Sequence, residues 1–272
     1  MKEKIIYYDD EKNNEFSGIT KNTVSVDKSF RYIKKGFFHS ALTFIVYRII
    51  MTPIAYLWSK LKFGLKVKNK KVLSQHRKEG YFIFSNHTLM AGDAFIPNVY
   101  AFPKKVYMVV HPDNISTKGT KGFIMMCGAI PTPTSIDGYR GFLSAVEQRI
   151  REGGAVCVYP EAHIWPYYTK IRDFSDTSFA YPVKLDAPVF SATVTYTKRR
   201  LRKTPKATVY IDGPFYPCKE LKPREAQKEL RNRVYSTMVD RSNHSTYERI
   251  KYVKRETEAD ERSNHDTDNI RR

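Results

Sequence analysis

Five short runs rich in β-branched and aromatic residues dominate the middle of this 272-residue chain: 81–85 (YFIFS), 106–111 (VYMVVH), 155–159 (AVCVY), 188–196 (PVFSATVTY) and 207–211 (ATVYI). Runs this short and this apolar, set off by polar or glycine-containing stretches, read as core strands. Helical spacing fills two of the other intervals. Residues 141–152 stop at Gly153-Gly154, and 223–240 form a charged amphipathic pattern after the last strand. Strands alternating with helices predict an α/β sandwich. The length suits one sizeable core, so a single folded domain is expected. Both ends look different. Residues 1–28 are polar and aperiodic, and 254–272 hold almost no apolar side chain to offset ordering entropy, so both are expected to be loose tails.

The formal charge of +19, from 47 Lys and Arg against 28 Asp and Glu, favours polyanionic surfaces, either nucleic acid or acidic lipid headgroups. No zinc-finger spacing, RNA-binding aromatic signature or base-reading helix accompanies the charge, so no nucleic-acid partner is expected. A membrane surface has a second argument. Residues 37–58 (FFHSALTFIVYRIIMTPIAYLW) are the most apolar stretch, interrupted by Arg48 and by Pro53, which should bend a helix running through it. One or two helices lying in the bilayer interface are expected there, with Lys34, Lys35, Arg48, Lys60 and Lys62 reaching phosphates. The competing reading is a core helix under the sheet.

Cys127, Cys157 and Cys218 are widely spaced, odd in number and free of CxxC or Cys/His metal spacing, which argues against a disulfide framework or structural zinc and for a reducing, cytosolic face. Residues 1–30 contain no long apolar core, so nothing there is expected to direct secretion.

The window 84–95 (FSNHTLMAGDAF) runs an apolar strand out into Ser85-Asn86-His87, with an acid following at Asp93. Histidine suits proton abstraction near neutral pH, and a carboxylate on its other ring nitrogen fixes the tautomer and stabilises the imidazolium. A second polar cluster, Tyr159-Pro160-Glu161-Ala162, ends another apolar strand. Glu161 is placed either to bind acceptor hydroxyls or to pair with Arg172. Lys121, Arg140, Lys170 and Arg172 lie close in sequence to these clusters and are candidates for holding phosphate. Trp165, Tyr167 and Tyr168 are expected to pack rather than line a pocket. Residues 118–122 (KGTKG) lack nucleotide phosphate-loop spacing.

In order, Asn86-His87…Asp93, Gly128-Ala129-Ile130, Tyr159-Pro160-Glu161-Ala162 and Ala187-Pro188-Val189 resemble the blocks of the lysophosphatidate (1-acyl-sn-glycerol-3-phosphate) acyltransferase family of glycerolipid acyltransferases. The likeness runs from about Tyr81 to Tyr196. It implies a mixed sheet flanked by helices and preceded by N-terminal membrane-associating helices: a tail over 1–28, a membrane-associating segment over 29–66, an acyltransferase domain over 67–253 and a tail over 254–272. It also implies a His87/Asp93 dyad, with an acceptor site drawing on Asn86, Pro160, Glu161, Ala162 and the cations Lys121, Arg140 and Arg172. Acyl-CoA or acyl carrier protein would be the co-substrate, with no bound cofactor and no metal. A lysophospholipid acceptor would be met at the cytoplasmic face of a phospholipid membrane.

Three departures bear on this. Five residues separate His87 from Asp93, one more than the family pattern has, and Gly92 is expected to absorb the extra residue through an unusual backbone angle. Ala162-His163 stands where Gly-Thr is usual, making His163 a rival base. Ile130-Pro131-Thr132-Pro133-Thr134 stands where an arginine is usual. The alternatives are an acyltransferase acting on another lipid acceptor and a non-catalytic anionic-lipid-binding protein. A metal-dependent hydrolase using His87, Asp93 and His163 has no compact ligand motif behind it.

Overall fold

The computed structural model describes residues 4–16, 18, 24–117 and 119–255. β1 (Lys4–Tyr8) opens the chain. A continuous helix, Phe37–Phe63, follows, made of α1 (Phe37–Phe44), a π-helical stretch (Ile45–Met51) and α2 (Thr52–Phe63). Then come β2 (Lys66–Lys68), α3 (Lys71–Gln75), β3 (Tyr81–Ser85), α4 (Ala91–Tyr100), β4 (Val106–Val110), α5 (Lys121–Met126), β5 (Ala129–Pro131) and α6 (Tyr139–Arg151). The chain continues through β6 (Ala155–Val158), α7 (Ala180–Leu185), β7 (Val189–Thr197), β8 (Lys206–Phe215), α8 (Pro223–Ser242) and β9 (Ile250–Lys254).

The strands form a mixed seven-stranded sheet in the order β2-β8-β7-β3-β6-β4-β5, parallel except where β7 meets β8. β3 is central and wholly buried, which is why its sequence is a continuous apolar run rather than an alternation. Tyr81 and Ile83 join the core beneath α2 and α4, whereas Phe82 and Phe84 join the core beneath α6 and α8. At Gly128 the backbone takes φ 103° and a Cβ would sit 2.4 Å from the Val106 carbonyl oxygen, so only glycine lets β5 close on β4.

Of the one or two helices expected here, the structure has one continuous helix, 37–63, that contains Pro53. Pro53 falls in the first turn of α2 directly after the π-helical stretch, where wider i to i+5 pairing is already in use, and Thr52 Oγ1 donates to the Tyr47 carbonyl at 2.7 Å. Along this helix Tyr47, Ala55, Ser59 and Phe63 are buried, whereas Phe37, Phe38, Ile49, Ile54, Leu57 and Leu61 stand exposed. It is long and apolar enough to cross a membrane, yet one stripe of it is fastened to the domain: Tyr47 Oη accepts from Val106 N at 2.8 Å and donates to Asn98.

One expectation changes, at the ends. The described part of 1–28 is not a loose tail, because β1 pairs in parallel with β9, from Lys4 against Ile250 to Tyr8 against Lys254. Tyr8 and Phe16 pack edge-on to Trp165 at 4.7 and 5.3 Å, Tyr252 stacks on it at 4.9 Å, and Val26 is fully buried. Of the C-terminal tail, Lys254 completes β9, and 256–272 lie outside the described residues.

Candidate active site

β3 ends at Ser85, and its ladder is prolonged by a side chain. Asn86 accepts from Val194 N at 2.8 Å and donates to the Val194 carbonyl at 3.1 Å, imitating one more strand residue. Asn86 is buried with both ends of its amide used, so it holds the strand end instead of meeting substrate. His87, the next residue, leaves the ladder and turns towards α4.

Asp93 lies in the first turn of α4, where the helix dipole favours a carboxylate. Its Oδ2 lies 2.7 Å from His87 Nδ1 and accepts from Leu89 N at 2.9 Å. One carboxylate oxygen therefore orients the imidazole and ties down the loop between the two residues. With Nδ1 engaged, Nε2 is the ring nitrogen left to take a proton, and the side chain is 23% exposed. The extra residue does not open this pair. Nor is Gly92 the residue that absorbs it: Met90 does, at φ 43° and ψ −122°. Gly92 serves by its size, since a Cβ there would lie 2.9 Å from both Leu89 Cβ and Phe63 Cε2.

Tyr159 stacks on the imidazole, centroids 4.4 Å apart, and donates to the Asp93 carbonyl at 2.6 Å. Burial, with Cys157 and Asp93 adding to it, pushes this phenol well above its ordinary value, so it remains a neutral donor. The sequence reading did not single out Tyr159; its place at the end of β6, beside the end of β3, was the available signal.

Glu161 bridges the two motif blocks through backbone. Its Oε2 accepts from His87 N at 3.1 Å and its Oε1 from Arg172 N at 3.1 Å. The Arg172 guanidinium lies 3.1 Å from Oε2, donates to the His163 and Glu11 carbonyls, and sits 4.9 Å over the Trp165 ring. The two side chains are 0% and 1% exposed. Burial pushes the Glu161 carboxyl above its ordinary value, opposed by Arg172 and by the backbone donors. Arg172 therefore does not fit a phosphate-binding role, because its charge is enclosed and occupied, and Glu161 braces His87 instead of facing an acceptor. Trp165 N donates to the His87 carbonyl at 3.0 Å and Tyr167 N to the Thr88 carbonyl at 2.8 Å, completing the brace. Trp165 and Tyr168 pack as expected.

Pro160 is half-buried and Ala162 exposed at the rim of this loop. Ala162 holds φ 63°, a left-handed conformation suited to the glycine usual at that place. His163 is turned towards Glu15, with Nδ1 3.8 Å from its carboxylate, and not towards Asp93. Lys121 and Arg140 are exposed at the starts of α5 and α6, and Lys121 Nζ rests 4.5 Å over the Phe30 ring, in a cleft that does not include His87. Among the described residues no group of three or more His, Cys, Asp or Glu gathers as a metal site.

Residues 64–195, which carry the dyad and its braces, match the acyltransferase family. The fold is also that of the 1-acyl-sn-glycerophosphate (LPA) acyltransferase PlsC from Thermotoga maritima, with a TM-score of 0.54 at 15% identity over 77% of this chain and 83% of that one. No curated protein sequence matches this chain.

Proposed function

We propose that this acyltransferase moves a fatty acyl group from a thioester, acyl-CoA or acyl carrier protein, to the hydroxyl of a lysophosphatidate-like lipid at the cytoplasmic face of a membrane, as a step of phospholipid synthesis. The observation that carries the reading is the 2.7 Å His87–Asp93 pair at the end of the central strand, which engages Nδ1 and leaves Nε2 of a partly exposed ring for a substrate proton. His87 Nε2 takes the hydroxyl proton as the acceptor oxygen attacks the thioester carbonyl. Asp93 stabilises the imidazolium. When the tetrahedral intermediate collapses, the carbon–sulfur bond breaks and the proton passes from His87 to the departing thiolate. The acid, base and positioning are supplied by side chains, and the chemistry calls on no bound cofactor.

The apolar stripe of the 37–63 helix supports a bilayer as the place of reaction, because Phe63 at its end lies against Gly92 in the dyad loop. The deciding experiment is thiol release from a long-chain acyl-CoA in the presence of vesicles, with and without lysophosphatidate. Acceptor-dependent release by the wild type, lost in His87→Ala, is expected. Release unchanged in that variant would sink the mechanism. No release with any lyso-acceptor or carrier-protein donor would favour a non-catalytic lipid-binding protein.

A further inference from the structure

The parallel strands enter the sheet at the end opposite His87. Lys105 precedes β4, Arg149 and Glu152 lead into β6, and α5 leads into β5. Tyr81, Ala155 and Val106 are in register, and His87 lies six residues beyond Tyr81, which places it roughly 20 Å away along the strands. At this far end a cleft of about 670 Å³ opens between 31–36, the first turns of the 37–63 helix, α5 and the end of α6.

Its lining is one-sided in charge. Seven lysine and arginine side chains border it against one carboxylate, Glu152, with which Arg149 pairs at 2.7 Å. Lys105 is held over the Tyr47 and Tyr107 rings at 4.8 and 5.2 Å, and Arg149 lies 4.7 Å from the same Tyr107 ring. Burial, then the Arg149 charge, pushes the Lys105 ammonium down to about 8. Two cations crowded on one ring are stabilised by an anion between them.

A second observation is independent of charge. Tyr32 Oη and Thr43 Oγ1, both in the lining, are shielded from water and have no hydrogen-bond partner among the described residues. A buried polar atom left in that state costs about 1–3 kcal/mol. Beside them the cleft is apolar, with Phe44, Met125 and Met126, and it runs out along the exposed stripe of the 37–63 helix.

We infer that this cleft is a second lipid site, taking the phosphodiester headgroup of an anionic glycerophospholipid while its acyl chains lie along the helix. Lys105 and Arg149 meet the phosphate, Lys121 and Arg48 flank it, and the Tyr32 and Thr43 hydroxyls bond headgroup oxygens. The site is separate from the dyad and does not depend on what His87 does.

The test is calorimetry of the full chain with dihexanoyl phosphatidylglycerol below its micelle concentration, beside dihexanoyl phosphatidylcholine, inorganic phosphate and coenzyme A. One phosphatidylglycerol per chain is expected, bound at least tenfold more tightly than phosphatidylcholine or phosphate. Lys105→Gln/Arg149→Gln should weaken it at least tenfold. The charge-matched pair Arg224→Gln/Lys228→Gln, exposed on α8, should leave it unchanged, as should His87→Ala. If the cleft variant does not fold, Lys121→Gln, at an exposed position, should still weaken binding about threefold. Equal binding of phosphatidylcholine, equal loss in both charge variants, or tighter binding of coenzyme A through the same two residues would each overturn the assignment.

Discussion

The two ends of the sheet treat charge in opposite ways. At the His87 end each ionic group meets its counterpart inside the chain: His87 with Asp93, and Glu161 with Arg172. At the Lys105 end cations gather with one acid among them, and hydroxyls are buried without partners. Paired opposite charges fix geometry, which proton transfer needs, even though Arg172 Nε itself has no partner among the described residues. An unsatisfied, one-sign cluster draws its partner from outside the fold. The helix 37–63 touches both ends, lining the cleft at its start and reaching Gly92 at its finish.

The contrast breaks most sharply at His87. His87→Ala should lower acceptor-dependent turnover about a thousandfold, with a much smaller effect on the thermal midpoint, since the side chain is partly exposed and Asp93 keeps its bond from Leu89 N; an unchanged rate would remove the functional distinction between the two ends. Glu161→Ala should act through stability instead, leaving the Arg172 charge buried and unpaired at a cost of about 3–5 kcal/mol in urea unfolding. Replacing both partners, Glu161→Leu with Arg172→Met, should recover much of that loss, and failure to recover would mean that the bonds to His87 N and the His163 carbonyl matter more than the charge.

The far end should show a pH signature. Lys105 is held at about 8 in the folded chain against 10.5 for an ordinary lysine, so between those values the unfolded chain binds more protons and stability rises with pH. The gain from pH 8 to 9 should be about 1 kcal/mol, and Lys105→Gln should flatten it; a slope that survives would assign it to another group. Smallest is Met90→Gly, which relieves the left-handed residue in the dyad loop. It should raise stability by about 0.5–1 kcal/mol with turnover unchanged, and a fall in turnover would show that the Met90 side chain serves the site.

The strands that carry chemistry were legible because β3, β6 and β7 are buried on both faces and leave unbroken apolar runs. The bounds of β3 and the pairing of His87 with Asp93 were read to the residue. β1, β2, β5 and β9 were not, being short or at edges, although the Ile5-Ile6-Tyr7-Tyr8 cluster amid polar residues marked a strand seeking a partner. The partner lies some 240 residues later, a distance that local periodicity does not register. Asn86 was chosen from the family resemblance, and Glu161 and Arg172 by residue type and place in the sequence, neither of which distinguishes a carboxylate facing substrate from one enclosed by a guanidinium. The cation cleft was likewise hidden, because Lys105, Lys121 and Arg149 are brought together by three separate strand entries.

The pairing of β1 with β9 also sets a schedule. The first strand leaves the ribosome early and its partner among the last residues described, a wait on the order of 10–50 s at ordinary rates of synthesis. Until then Trp165, which lies over the Arg172 guanidinium, lacks the Tyr252 ring that stacks on it. The brace behind His87 is therefore completed only after β9 has emerged, so a nascent chain holds His87 and Asp93 well before it holds them rigidly.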